Sequence, residues 1–276
     1  MAIIDTLQTN INEINSAFQA IKGKIIEKGV EVGDELRPRE YAPKVAEVYE
    51  KGKQSTYDVF WDSYQDNGNR TDYSNVFSGA GWNAETFKPK YDIVPTNGYM
   101  IFRASNIAVD LVAHLENLGV NLDFSNCSTT QYMFNQTSFT RLGVLDFSGS
   151  GRPYALDNTF NNSKNLITID KIILRTGSKG EFDNAFPGCT ALKNVTFVGK
   201  ITKTGLNMST CPNLSKDSIE NIIDCLDEDA SGQSITLSEA AVDKAFESDE
   251  GNNDGTSTVN WLIMTNKRPN WTISLV

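Results

Sequence analysis

The sequence predicts an α+β chain: an N-terminal helical region that is a candidate trimeric coiled coil, then a solenoid of short repeats, then an α/β C-terminal cap. Three observations predict it. Apolar residues keep heptad spacing over the first 30 positions, a motif recurs every 22 to 26 residues through the middle, and helix-like and strand-like patterns alternate near the end. With 276 residues, 39% hydrophobic and 22% charged, the chain can bury the core of one or two domains.

The helical region comes first. Ile4, Leu7, Ile11, Ile14, Phe18, Ile21 and Ile25 follow at alternating steps of three and four, which places Ile4, Ile11, Phe18 and Ile25 at a positions and Leu7, Ile14 and Ile21 at d. Isoleucine in both layers favours three or four strands over two, so residues 1–30 read as an oligomerisation helix with a homotrimer as its product. An amphipathic helix packed on its own domain is the alternative. Gly33 to Pro38 break the pattern, and residues 31–66 form a second helical segment with Tyr41, Val45, Val48, Tyr49, Tyr57, Phe60, Trp61 and Tyr64 on one stripe, stopped at Asn67-Gly68-Asn69.

Residues 67–119 are expected to cap the solenoid and residues 120–214 to form its repeats. Phe160 to Leu166, Phe186 to Leu192 and Met208 to Leu214 share an apolar anchor, a small turn-forming group and Leu six residues on, and a looser copy joins Phe134 to Phe139. The anchors step by 26, 26 and 22 residues, within the range of leucine-rich repeats. Strand-like runs follow at Leu142 to Phe147, Ile167 to Leu174 and Val195 to Val198, with an opening run at Val120 to Phe124. Repeats of this size bury an apolar face only by stacking, hence the solenoid. In the cap, residues 215–276, Ser215 starts a helix carrying Ile219, Ile222, Ile223 and Leu226; a strand at Ile235 to Leu237, a helix after Ser238, a helix around Val259 to Met264 and a strand at Trp271 to Leu275 complete it.

The charge balance and rare residues narrow the function. A net charge of -10 repels phosphate backbones, which argues against a nucleic-acid partner. No stretch reaches the roughly 18 apolar residues of a membrane helix, and no charged-then-apolar leader is seen at the start. One His and four Cys leave little for acid–base, nucleophilic or zinc chemistry. His114 reads as a partly buried helix residue, and Cys127, Cys189, Cys211 and Cys225 as small buried apolar groups, a disulfide or metal site being the alternative. Asp217 to Asp254 hold twelve carboxylates and one basic residue, Lys244; solvated helix faces explain them better than calcium, because Glu250 to Gly255 only begins an EF-hand-like loop and Trp261 stands where a bidentate Glu is required. No cofactor, metal or catalytic residue is expected.

The repeat unit, Phe at the anchor and Cys or Ser before Leu, resembles the irregular leucine-rich repeats of the BspA-like family. Tyr57 to Tyr73, Phe77 to Trp82 and Phe87 to Asp92 resemble the opening segment of leucine-rich-repeat proteins encoded by phages and prophages of Gram-positive and gut bacteria, and Pro269 to Leu275 is similar to their usual ending. The resemblance runs from about residue 40 to the C-terminus. It implies a non-enzymatic, tail-associated virion protein, assembled in the bacterial cytoplasm and released on lysis, whose partners are other tail proteins and a host surface receptor of protein or glycan. It assigns no receptor-binding residue. A bacterial cell-surface adhesin, a tail-borne glycan hydrolase and an assembly scaffold are the alternatives.

Overall fold

The computed structural model describes residues 12, 16, 19–28, 48, 51–52, 56, 58–149, 156–175, 182–246 and 259–276. The chain divides into two compact units, residues 1–64 and 65–276.

In the first unit residues 19–27 and 58–64 are helical. Of the heptad seam, Ile4, Leu7, Ile11, Ile14 and Phe18 lie outside the described residues. Ile25 is 3% exposed and Ile21 is 39% exposed. Both line an apolar groove of about 400 Å³ together with Val48. Phe60, Trp61 and Tyr64 form an edge-on cluster with centroids 4.9 to 5.9 Å apart.

The second unit is organised by a stack of turns. Gly98, Met100, Phe102 and Ala104 donate their amides to the carbonyls of Thr129, Gln131, Met133 and Asn135 at 2.8 to 3.1 Å, while Ile101, Arg103 and Ser105 turn back to Gly98, Met100 and Phe102. Alternate amides therefore tie one rung to the next and the others close the turn within it. The same scheme joins residues 73–79 to 97–103, 132–136 to 157–161 and 158–162 to 183–187. It buries side chains from every rung, and one position recurs as a large aromatic. That residue is Phe77, Phe102, Phe134, Phe160 and Phe186 in succession, each fully buried. Their rings stack at 5.3, 5.4, 5.9 and 5.1 Å with interplanar angles of 22, 11, 4 and 21°.

Strands form only beside the later rungs. β1 (Arg141–Asp146), β2 (Thr168–Ile173) and β3 (Asn194–Val198) make a parallel sheet in the order β1-β2-β3, with a register shift between Ile169 and Ile172. Helix α1 (Leu111–Leu118), N-capped by Asp110, packs against β1, where Gly143 makes room: a Cβ there would lie 2.9 Å from Val112 Cγ2. β4 (Asn207–Met208), α2 (Lys216–Cys225), β5 (Gln233–Leu237), α3 (Glu239–Phe246), α4 (Val259–Asn266) and β6 (Trp271–Leu275) follow. β4, β5 and β6 form a second parallel sheet in that order, so helices link its successive strands. Ser215 caps α2 by accepting from the Ser218 amide. The closing segment is tied down by Arg268, which donates to the Asp224 and Leu226 carbonyls at 2.7 and 2.6 Å, and by Trp271 Nε1, which donates to Asp227 O at 2.8 Å.

This architecture corrects the expected leucine-rich-repeat solenoid. The parallel strands form two separate three-stranded sheets in a small α+β fold, in place of one continuous sheet with a strand per repeat. Two physical causes are visible. Before β1 the positions beside the rungs are single bridges, Asn83 with Asn106 and Ile93 with Leu122, and α1 occupies the stretch ahead of the expected opening strand at Val120 to Phe124. After β3, α2 closes the sheet with its side chains. Asn221 Oδ1 accepts from Phe197 N at 2.7 Å, Asn221 Nδ2 donates to Phe197 O at 3.2 Å, and Ser218 Oγ accepts from Val195 N at 3.0 Å. One amide side chain thus takes the place of the next strand, and the repeat copy at Met208 falls at the end of β4, in the other sheet. Of the N-terminal seam, the described residues show Ile21 and Ile25 on a helix, with Ile25 buried.

Two measurements check this account. Phe134→Ala removes a ring stacked on both neighbours and should cost about 3–5 kcal/mol, seen as a lowered urea midpoint. Asn221→Leu keeps the volume but strands the Phe197 amide and carbonyl; it should cost about 1–3 kcal/mol and expose that amide to hydrogen exchange while amides in β2 stay protected.

Candidate functional site

The stack of turns places left-handed residues at two places in every rung; the second column is Gly79, Ala104, Gln136, Asn162 and Gly188, and the first is the bulkier one. That column reads Asn75, Met100, Tyr132, Asn158 and Asn184, with φ between 54 and 58°. Asn tolerates this conformation because its short amide can bond locally; methionine and tyrosine do not, and a non-glycine residue there costs about 1–2 kcal/mol. Two adjacent rungs therefore carry bulky side chains where the three others carry the residue that suits the backbone.

The strained pair lies in an aromatic patch. Tyr99 precedes Met100, and its ring meets that of Tyr132 edge-on at 6.2 Å. Arg103, three residues after Met100, has its Nε buried with no hydrogen-bond partner among the described residues. Tyr99, Met100, Arg103 and Tyr132 are all half-exposed. In the same two rungs Phe102 and Phe134 stack at 11°, with Phe139 and Phe124 edge-on against them, so the patch belongs to rungs anchored by stacked aromatic rings. Tyrosine, methionine and arginine are the side chains enriched at recognition surfaces. Strain held at a surface by a rigid core is a pointer to function. The patch holds no His, Cys or carboxylate, so its chemistry is contact and hydrogen bonding.

The residues singled out from sequence lie elsewhere. His114 is on α1, where Nε2 is 2.7 Å from Phe87 O and the ring stacks on Phe87 at 5.7 Å, which employs it in packing. All four cysteines are free thiols; Cys127, Cys189 and Cys211 are buried and Cys225 is half-buried on α2. Among the described residues no three His, Cys, Asp or Glu side chains gather as metal ligands, and the Glu250 to Gly255 loop lies outside those residues. Part of the acidic run is paired with cations from outside it: Lys200 with Asp227 at 2.8 Å and Lys267 with Asp224 at 3.1 Å. The Lys200 bond holds the Asp227 carboxyl below its ordinary value.

Sequence reading missed Phe77 and Phe102 as anchors because Leu does not follow them at the sixth residue. A weaker signal was present, since Ile107 follows Phe102 by five residues just as Phe139 follows Phe134. No family model, no curated protein and no solved structure matches the chain.

Burial raises all four thiols, with Cys211 pushed up to about 12 and Cys189 higher still, next to Cys211. The thiolate is the nucleophile, so at pH 8 only about one Cys211 in 10⁴ is reactive. Iodoacetamide should leave Cys127, Cys189 and Cys211 of the native protein unlabelled at that pH and alkylate all four sites in urea, located by mass spectrometry. Rapid native labelling of any of those three would contradict the buried placement.

Proposed function

We propose that the chain is a non-enzymatic, tail-associated virion protein of a phage or prophage, and that it holds a host cell-surface receptor through the Tyr99, Met100, Arg103 and Tyr132 patch. One observation carries the binding reading: two large side chains kept in left-handed backbone at adjacent rungs, where Asn fills the equivalent positions. Selection for stability alone favours Asn or Gly there. The likeness of residues 57–73, 77–82 and 87–92 to the opening segment of phage-encoded proteins supports the virion setting, with other tail proteins as its remaining partners. Repetition of the protein on one virion would raise a modest single-site affinity through avidity.

Stability and binding should move in opposite directions in one variant. Met100→Asn with Tyr132→Asn relieves the backbone at both positions, so its unfolding free energy should stay level or rise by about 1 kcal/mol. Binding of the labelled protein to whole cells of Gram-positive and gut bacteria, read by flow cytometry, should fall at least tenfold against wild type. Equal binding by variant and wild type would remove the patch from the account, and absence of the chain from purified virions of the encoding strain would overturn the virion setting.

A further inference from the structure

The second sheet runs β4-β5-β6, so among the described residues β6 has β5 beside one edge and no strand beside the other. The directions of the backbone bonds show which groups that free edge presents. Thr236 N donates to Leu206 O on the β4 side, and Val276 N donates to Leu237 O. In a parallel ladder alternate residues face alternate neighbours, so Thr272, Ser274 and Val276 face β5. The amides and carbonyls of Ile273 and Leu275 therefore point outward.

An open strand edge is a template for pairing with another chain, and proteins usually blunt it. This molecule does so at two other edges: Asn221 satisfies Phe197 on β3, and β4 is two residues long. β6 has neither device, and its five residues include no charge and no proline. Its inner face is unfinished as well. Ile273 and Leu275 lie in register with Ile235 and Leu237, which are buried, yet are themselves half-exposed. Thr272 and Ser274, on the outer face, are exposed.

The order of side chains says what completes the edge. Read from either end, Trp271 to Leu275 runs apolar, hydroxyl, isoleucine, hydroxyl, apolar. Antiparallel pairing of two copies about Ile273 sets Ile273 against itself as a hydrogen-bonded pair. Trp271 then meets Leu275 on the inner face, and Thr272 meets Ser274 on the outer face, both favourable cross-strand pairs. The strand is its own complement, and a two-fold contact of this kind closes on itself.

We propose that the β6 edge is a self-association surface, at which two copies of the chain join their three-stranded sheets through antiparallel β6 strands. This surface does not depend on the Tyr99, Met100, Arg103 and Tyr132 patch. The test follows the solution mass of the full chain by light scattering over a concentration series, with variants at exposed positions. Thr272→Lys with Ser274→Lys places like charges opposite each other across the two-fold and should lower the mass at least twofold. Thr272→Lys with Ser274→Glu places opposite charges there and should keep the wild-type mass. Helix α4 offers the rival surface, since Leu262 and Ile263 are 50 and 56% exposed; Leu262→Lys with Ile263→Lys should leave the mass unchanged. In hydrogen exchange the Ile273 and Leu275 amides should be protected in wild type and open in the like-charge variant, with Val276 protected in both. Three results would overturn the proposal: a wild-type mass equal to that of the like-charge variant at every concentration, an equal loss of mass in the opposite-charge variant, or a loss of mass in the α4 variant alone.

Discussion

The column of stacked phenylalanines sets the dimensions of the second unit. Rings in contact at 5.1 to 5.9 Å need rungs at nearly one spacing, and that spacing is the one at which alternate amides reach the carbonyls of the next rung. Core and backbone thus impose the same repeat, each stabilising the other. An aromatic pair contributes about 0.5–1.5 kcal/mol beyond its buried area, so four successive pairs outweigh any single surface interaction in the unit. The left-handed residues follow from this arrangement. A rung whose amides point alternately along the stack and back into its own turn must alternate its backbone conformation, and the left-handed position recurs in every rung from Asn75 to Asn184.

A sheet grows from this stack only where side chains permit it. Beside the later rungs, Leu142, Leu145, Ile169, Ile172, Val195 and Phe197 turn inward from strands that pair. Such an edge invites another strand. Asn221 removes the invitation by offering Phe197 the donor and acceptor that a neighbouring backbone would supply, from a helix that continues into the second sheet. The side chain that ends one sheet therefore sits on the element that connects the next, and the fold passes from stacked turns to helix-linked strands without an unpaired edge at β3.

Much of the second unit was legible in the sequence, and the remainder was hidden for identifiable reasons. Phe160 and Phe186 announce their rungs because Leu follows at a fixed distance and both side chains are buried, so the pattern reports burial directly. The cap helix after Ser215 and the strand from Trp271 were readable for a similar reason, since capping and periodicity are local properties. The division into two sheets was not readable. It turns on Asn221, whose amide looks like any polar helix residue until Phe197, 24 residues away in sequence, is placed beside it. The candidate site was hidden more deeply. A left-handed Met100 or Tyr132 leaves no mark in composition, because bulky residues are the ones a turn reading passes over.

The placement of strain is itself informative about how the protein can work. Left-handed Met100 and Tyr132 belong to the rungs of Phe102 and Phe134, two rings packed among other aromatic rings. A loop that is free to relax would not keep such residues in a costly conformation; a rung fastened on both sides by amides and from below by stacked rings has no other conformation to take. The stack thereby converts core stability into a surface whose backbone is already fixed. For the proposed binding role this matters, because the backbone entropy of Met100 and Tyr132 is lost at folding and does not count against each encounter.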